Sequence, residues 1–224
     1  MQYSNPVTRF NHPELSEKNL MSAKLFVYVG IIVFALLLTG WQTYLSMAQN
    51  STPHQPYRIV KKEGALEIRF YPPAIEASVQ KSGSYNNMMN SGFRDLAGYI
   101  FGGNDKGEKI AMTAPVKAEM NDNSNETAKI TFIMPEKFEM EKKPNPVSSN
   151  IMFSETKPVY AAAITFGGFA GIDKMETYKS QLLAELKKRG LEPEGNVQYL
   201  YYNPPFQLFN RRNEVLVQLS NFSE

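Results

Sequence analysis

Side chains that usually carry catalysis are scarce in this sequence. Cysteine is absent, and the two histidines, His12 and His54, both lie in the N-terminal quarter. The bulk of the chain therefore has no thiolate nucleophile, no disulfide, no imidazole base and no His-rich metal cage. Acid–base work would fall to carboxylates, and most Asp and Glu residues stand beside lysines in polar turns or on exposed helix faces, where a solvated role is expected. The glycine pairs Gly102-Gly103 and Gly167-Gly168 lack the spacing and following helix of a phosphate loop and fit turns instead. Soft and flat apolar surface is abundant, with 14 Phe, 12 Tyr and 11 Met. Methionine adapts to irregular contours and aromatic rings offer planar contact, so the chemistry suited to this chain is the binding of a large planar apolar ligand. The same residues build ordinary cores, so their positions have to decide. The 24 basic and 22 acidic residues nearly balance, which argues against nucleic acid as a partner.

The elements that must position these residues are organised around residues 98–116. Upstream, Tyr85, Met88, Met89, Phe93, Leu96, Ala97 and Ile100 recur at three- and four-residue steps, predicting a helix of about four turns with one buried face. Gly83-Ser84 offers its N-cap. Gly102 and Gly103 are expected to supply the positive φ angles that close its C-terminus, and Asn104-Asp105-Lys106-Gly107 reads as a tight polar turn. After it, Ile110, Met112, Ala114 and Val116 alternate with Ala111, Thr113, Pro115 and Lys117, the period of a half-buried strand. Pro115 cannot donate to a ladder, so this strand is expected to run along a sheet edge or to end there.

Earlier in the chain, 57–60 and 66–70 read as a hairpin around 61–65, and 75–79 is extended. Later, 121–125 is a polar loop, 128–134 a strand and 135–149 a long surface loop. Residues 151–154 and 159–166 are strands. Ile172, Met175, Tyr178, Leu182 and Leu186 mark an amphipathic helix that ends in Lys187-Lys188-Arg189 before Gly190. Residues 197–202 and 215–219 close the series. Two units of strands, one helix and two more strands predict an α+β domain built as an internal pseudo-repeat.

The N-terminal part is different. Every residue of 25–38 is apolar or glycine, and 39–45 prolong the segment without a charge, reaching the roughly 20 residues a helix needs to cross a bilayer. Lys24 at one end and Trp41 and Tyr44 at the other suit the two interfaces. Arg9, Lys18 and Lys24 precede the segment and no Lys or Arg follows before Arg58. Residues 1–24 are therefore expected in the cytoplasm, 25–45 in the membrane, and the domain over 57–222 on the outer side, joined by a linker over 46–56. Ser46-Met47-Ala48 is a small-x-small triplet, so a cleaved signal ending near Ala48, with a secreted domain, is the alternative.

Asn104-Asp105-Lys106-Gly107 with Lys109-Ile110-Ala111-Met112-Thr113-Ala114-Pro115-Val116 resembles the hallmark segment of the SOUL haem-binding protein family. So do Tyr57-Arg58-Ile59-Val60 with Ile68-Arg69-Phe70-Tyr71-Pro72-Pro73, Phe166-Gly167-Gly168-Phe169, and Tyr202-Asn203-Pro204-Pro205 with Arg211-Arg212-Asn213-Glu214-Val215. Their order matches the family from about residue 57 to the C-terminus. The resemblance implies a twisted antiparallel β-barrel-like sheet carrying two helices. It also implies non-catalytic binding of haem or another porphyrin, for transport, buffering or sensing. Carried over to this chain, the ligand groove falls on the first domain helix, at Met89, Phe93, Leu96 and Ile100. Arg94 is the sole cation on that helix, because Asn90 and Gly98 stand where a relative carries basic residues, so Lys106 and Lys109 of the next turn are expected to meet the propionates. With no cysteine, an iron ligand would have to be Tyr, Met or His54 folding back from the linker. An enzyme acting on tetrapyrroles or esters, and a module for hydrophobic cations of the effector-binding type, are the alternatives. A net negative pocket would favour the second, and cationic residues at its rim would favour porphyrin. Arg211-Arg212-Asn213-Glu214 reads as a structural pin between a strand and a neighbouring loop.

Overall fold

The computed structural model describes residues 17–50, 52–121, 127–147 and 150–223. Residues 1–16 of the predicted cytoplasmic segment and most of the predicted loop at 121–125 lie outside the described residues. The chain falls into two compact units that divide between Tyr44 and Leu45. The first belongs to helix α1, Glu17–Asn50, which contains one stretch, Met21–Leu45, long and apolar enough to cross a membrane. The helix outruns the predicted span, because nothing in 46–50 breaks it. The expected 46–56 linker is shorter as a result. Its far end is already tied to the domain, where the Ala114 amide donates to the Pro53 carbonyl and the Gln55 amide to the Ala114 carbonyl, both at 2.8 Å.

The second unit carries nine strands and two helices: β1 Arg58–Glu63, β2 Leu66–Tyr71, β3 Ile75–Ser82, α2 Tyr85–Ile100, β4 Val116–Met120, β5 Thr127–Ile133, β6 Met152–Glu155, β7 Val159–Gly167, α3 Ile172–Arg189, β8 Pro193–Tyr201 and β9 Arg212–Leu219. All pairings are antiparallel, in the order β1-β2-β7-β9-β8-β4-β5-β3-β6. The sheet stays open, with β1 and β6 at its edges. The order displays the pseudo-repeat. β2-β3-α2-β4-β5 and β6-β7-α3-β8-β9 are equivalent units, related about the β4–β8 pair, and the first strand of each unit pairs with the second strand of the other.

Both helices pack on the same side of the sheet. Met88, Leu96 and Ile100 of α2 and Met175, Leu182 and Leu186 of α3 join Ala77, Val79, Ile130, Phe132, Val215 and Val217 in one apolar core. At Gly92 a methyl group would stand 2.9 Å from the Ile130 side chain, so glycine lets α2 lie close on β5. The other side of the sheet carries a smaller cluster of Tyr71, Ala114, Ala161, Ala163, Leu200, Tyr202 and Leu216.

Two expectations are corrected. Residues 110–115 are not a strand, since pairing begins at Val116. Their alternation stops at Thr113, which is buried next to buried Ala114 and Pro115 and donates its hydroxyl to the Ile133 carbonyl. Nor is β4 an edge strand: it lies between β5 and β8. Pro115 is tolerated because it stands one residue before the ladder, where its missing N–H costs no sheet bond.

Candidate functional site

Helix α2 and the turn behind it are built as one piece. The Phe101 amide donates to the Ala97 carbonyl and the Gly103 amide to the Gly98 carbonyl, while Gly102 takes φ 109°. Gly103 is required for a different reason from the expected positive φ: a methyl group on it would lie 2.6 Å from the Gly98 carbonyl oxygen. Asn104 is buried and holds the turn from within. Its side-chain amide donates to the carbonyls of Tyr99 at 3.1 Å and Glu108 at 2.7 Å, and its oxygen accepts from the amides of Lys106 and Glu108. An Asx-type turn of this kind explains why asparagine opens the polar tetrapeptide.

The predicted site residues divide between two environments. Leu96 and Ile100 are buried in the core beneath the helix. Met89 is partly buried against the core. Phe93 is 38% exposed and leans edge-on against Phe132, with centroids 5.3 Å apart. Arg94 is exposed. Phe101, missed by the sequence reading, is 60% exposed. Phe93, Ala97 and Phe101 follow at four-residue steps, so the two rings share one strip of the helix, about 12 Å apart along its axis. Lys109 is exposed and pairs through its backbone with Phe101.

Lys106 points elsewhere. Its ammonium donates to the Lys142 carbonyl at 3.0 Å. It lines a cleft of about 370 Å³ with Lys137, Lys142, Lys143, Glu108 and Phe138, on the side where the Tyr99 hydroxyl meets the Pro144 carbonyl. Three of these lysines come from the 135–147 loop, whose lack of periodicity hid them from the sequence reading.

Iron ligation by His54 does not fit this strip. His54 bridges to Ala114, and its ring lies 5.7 Å from that of Tyr202, among residues of the helix-free side of the sheet. Partial burial and the nearby Arg212 charge hold its imidazole below the ordinary value. Tyr85 and Tyr201 are hydrogen-bonded to each other beside the Met175 sulfur. Burial pushes the pKa of both phenols up, so neither is disposed to become a tyrosinate. Among the described residues, no three His, Cys, Asp or Glu side chains converge to hold a metal. The α2 strip carries exposed rings, Phe93 and Phe101, and exposed cations, Arg94 and Lys109.

The helix-free side holds the most concentrated chemistry in the domain. Glu214 is fully buried and accepts two bonds from Arg69, at 2.7 and 3.0 Å. It accepts two more from Arg212, at 2.7 and 3.1 Å, one from Thr165 at 2.9 Å and one from Tyr202 at 2.8 Å. Burial alone would raise its carboxyl, but the two guanidinium groups overcome that and hold it at about 2. Arg69 lies over the Tyr57 ring and Arg212 over the Tyr202 ring, at 4.3 and 4.2 Å. Glu67 adds a second carboxylate on Arg69 at 2.7 Å. Two arginines against two carboxylates leave no net negative charge for a cationic ligand. The expected pinning role of 211–214 is also present, because Arg211 donates to the carbonyls of Pro204 at 2.9 Å and Gln207 at 2.7 Å.

Comparison with known proteins agrees with this architecture. The C-terminal domain of EcmrR superposes with a TM-score of 0.55 at 11% identity, over 74% of this chain and 99% of that one, a likeness of fold alone. "Heme-binding protein 2" of Homo sapiens is 31% identical over 159 residues, 68% of this chain and 77% of that protein. "Heme-binding protein 1" of Mus musculus is 25% identical, over 71% of this chain and 89% of that protein. The family model described as SOUL heme-binding protein matches residues 52–218, which take in all the strands and helices of the domain but the last residue of β9. This chain is a member of the SOUL haem-binding protein family.

Proposed function

We propose that this protein binds haem or a related tetrapyrrole without transforming it, at the exposed strip of α2, while α1 anchors it in a membrane. Membership of a family whose relatives are named for haem binding carries this reading. The strip supports it: Phe93 and Phe101 supply planar apolar contact, Met89 lies beside them, and Arg94 and Lys109 offer cations for the two propionates. Lys106 would join them by leaving the Lys142 carbonyl. Bound haem would contribute its iron, and Met89 is the one residue of the strip whose side chain is of a ligating type. Affinity then comes from apolar area removed from water, at roughly 25 cal/mol per Å², and from charge pairing at the rim. The positive flank of the apolar helix supports a cytoplasmic N-terminus and a domain on the outer side. Transport, buffering and sensing are all compatible with an open strip.

Porphyrin titration of the full chain in lipid nanodiscs tests the site. Phe101→Ala and Phe93→Ala together are expected to weaken protoporphyrin binding at least tenfold, about 1.4 kcal/mol, with an unchanged circular dichroism spectrum. Undiminished affinity would move the ligand off α2. Affinity supplied mainly by contact with the porphyrin face predicts further that haem and metal-free protoporphyrin bind within about tenfold of each other. His54→Ala should leave the ferric absorption spectrum unaltered. A low-spin spectrum abolished by that change, with a hundredfold loss of haem affinity, would overturn this account of how the ligand is held.

A further inference from the structure

The loop between β8 and β9, residues 202–211, puts apolar side chains into solvent. Phe206 is 56%, Leu208 42% and Phe209 66% exposed. Phe169 of the β7–α3 connection, 56% exposed, extends the patch, its ring 4.6 Å from the Arg211 guanidinium. No Asp or Glu occurs between Glu194 and Glu214.

Several carbonyls of this loop are bonded from inside. Arg211 donates to the carbonyls of Pro204, Pro205 and Gln207. Gln207, fully buried, donates from its side-chain amide to the Phe209 carbonyl at 2.9 Å. Pro204 and Pro205 bring no N–H at all. With these carbonyls bonded from within and its rings turned outward, the loop presents fewer open polar groups to a medium poor in water. Phenylalanine and leucine beside arginine are the side chains that settle at a bilayer interface.

The place of the loop matters as much as its composition. Its base is closed by the Tyr202 amide on the Arg212 carbonyl. Both base residues touch the point where the chain enters the domain: the Tyr202 ring packs on His54, and Arg212 donates to the Tyr57 hydroxyl at 2.9 Å. Only residues 51 and 52 separate the end of α1 from Pro53, which is already bonded to the domain. The apolar span ends at Leu45, so the remaining turn of α1 and three further chain steps reach roughly 18 Å at most. If α1 spans a bilayer, the entry point is confined near its surface, and the apolar loop is on the same end of the domain.

We propose that residues 203–210 form a second membrane contact, with Phe206, Leu208 and Phe209 inserted among lipid headgroups beside the anchor. The proposal rests on the reading of α1 as a membrane span, and it would hold the domain in one orientation.

Trp41 is the only tryptophan, which makes the test direct. The full chain is reconstituted into phosphatidylcholine vesicles whose acyl chains carry bromine, a collisional quencher. Quenching of Trp41 in the natural sequence reports the anchor. In a Trp41→Phe background, the single tryptophan introduced by Phe209→Trp, or by Phe206→Trp, reports the loop. Blue-shifted emission quenched by the brominated lipid is the expected result at both loop positions. A quenched Trp41 with water-like, unquenched emission from both loop variants would overturn the loop contact and leave the anchor standing. An unquenched Trp41 would overturn both. Blue-shifted emission that is insensitive to bromine and rises with protein concentration would assign the patch to a second copy of the chain, and would also overturn the proposal.

Discussion

Replacing Arg69 with methionine lowers the stability of the domain by about 3–5 kcal/mol at neutral pH, the usual consequence of stripping one partner from a buried ion pair. Arg69 supplies two of the six hydrogen bonds that Glu214 accepts, and Glu214 has no water to fall back on. Urea denaturation at several pH values is the measurement. In the natural protein the Glu214 carboxyl is held at about 2 against the usual 4.5. A depressed folded-state value means stability that is fully present above pH 4.5 and is lost as the pH falls toward 2, worth roughly 3 kcal/mol. Without Arg69 the depression shrinks, because burial then opposes only Arg212. The penalty of Arg69→Met should therefore be largest at pH 7 and smaller near pH 4. Adding Glu214→Gln should recover part of the loss at pH 7. A penalty below 1 kcal/mol, or one that grows as the pH falls, would show that the pair does not hold the second face of the sheet together.

Gly103→Ala is expected to cost about 2–3 kcal/mol, the scale of forced overpacking. Its methyl group would meet the Gly98 carbonyl oxygen at 2.6 Å, and backbone cannot swing aside as a side-chain tip does. Relief requires opening the last turn of α2 and breaking the 2.8 Å bond from the Gly103 amide to that same oxygen. Lys109 and Phe101 would be displaced with it, so porphyrin affinity should fall in parallel. Gly98→Ala is the matched control. It lies in the last turn of α2, nothing stands within 4 Å of its added methyl, and the gain in helix propensity is at most about 1 kcal/mol of stabilisation. Thermal denaturation of the two variants should give shifts of opposite sign. Equal shifts would mean that the close approach at Gly103 does not constrain the turn.

By itself the sequence determined what depends on neighbours in the chain. The three- and four-residue steps from Tyr85 to Ile100 and from Ile172 to Leu186 specify α2 and α3, and Gly190 ends α3 in the left-handed conformation that an amphipathic run followed by glycine predicts. The apolar 25–45 segment and the order of strand-like runs, which suggested the pseudo-repeat, are equally local properties. Tertiary structure alone decided what depends on which strands meet. Arg69 and Glu214 are 145 residues apart, and only the pairing of β2 with β7 and of β7 with β9 brings them together; nothing in either residue's surroundings names the other. The alternation through 110–116 looked like a strand, but burial across a core produces the same period as pairing in a sheet until the first irregular residue, here Thr113. Helical spacing placed Leu96 and Ile100 on the same apolar stripe as Met89 and Phe93. The stripe has a centre and a flank, and the packing of α2 on β3 and β5 sends the centre into the core while leaving Phe93 and Phe101 at the surface. A period counts the residues on a face, whereas the depth of each depends on the shape of what that face meets.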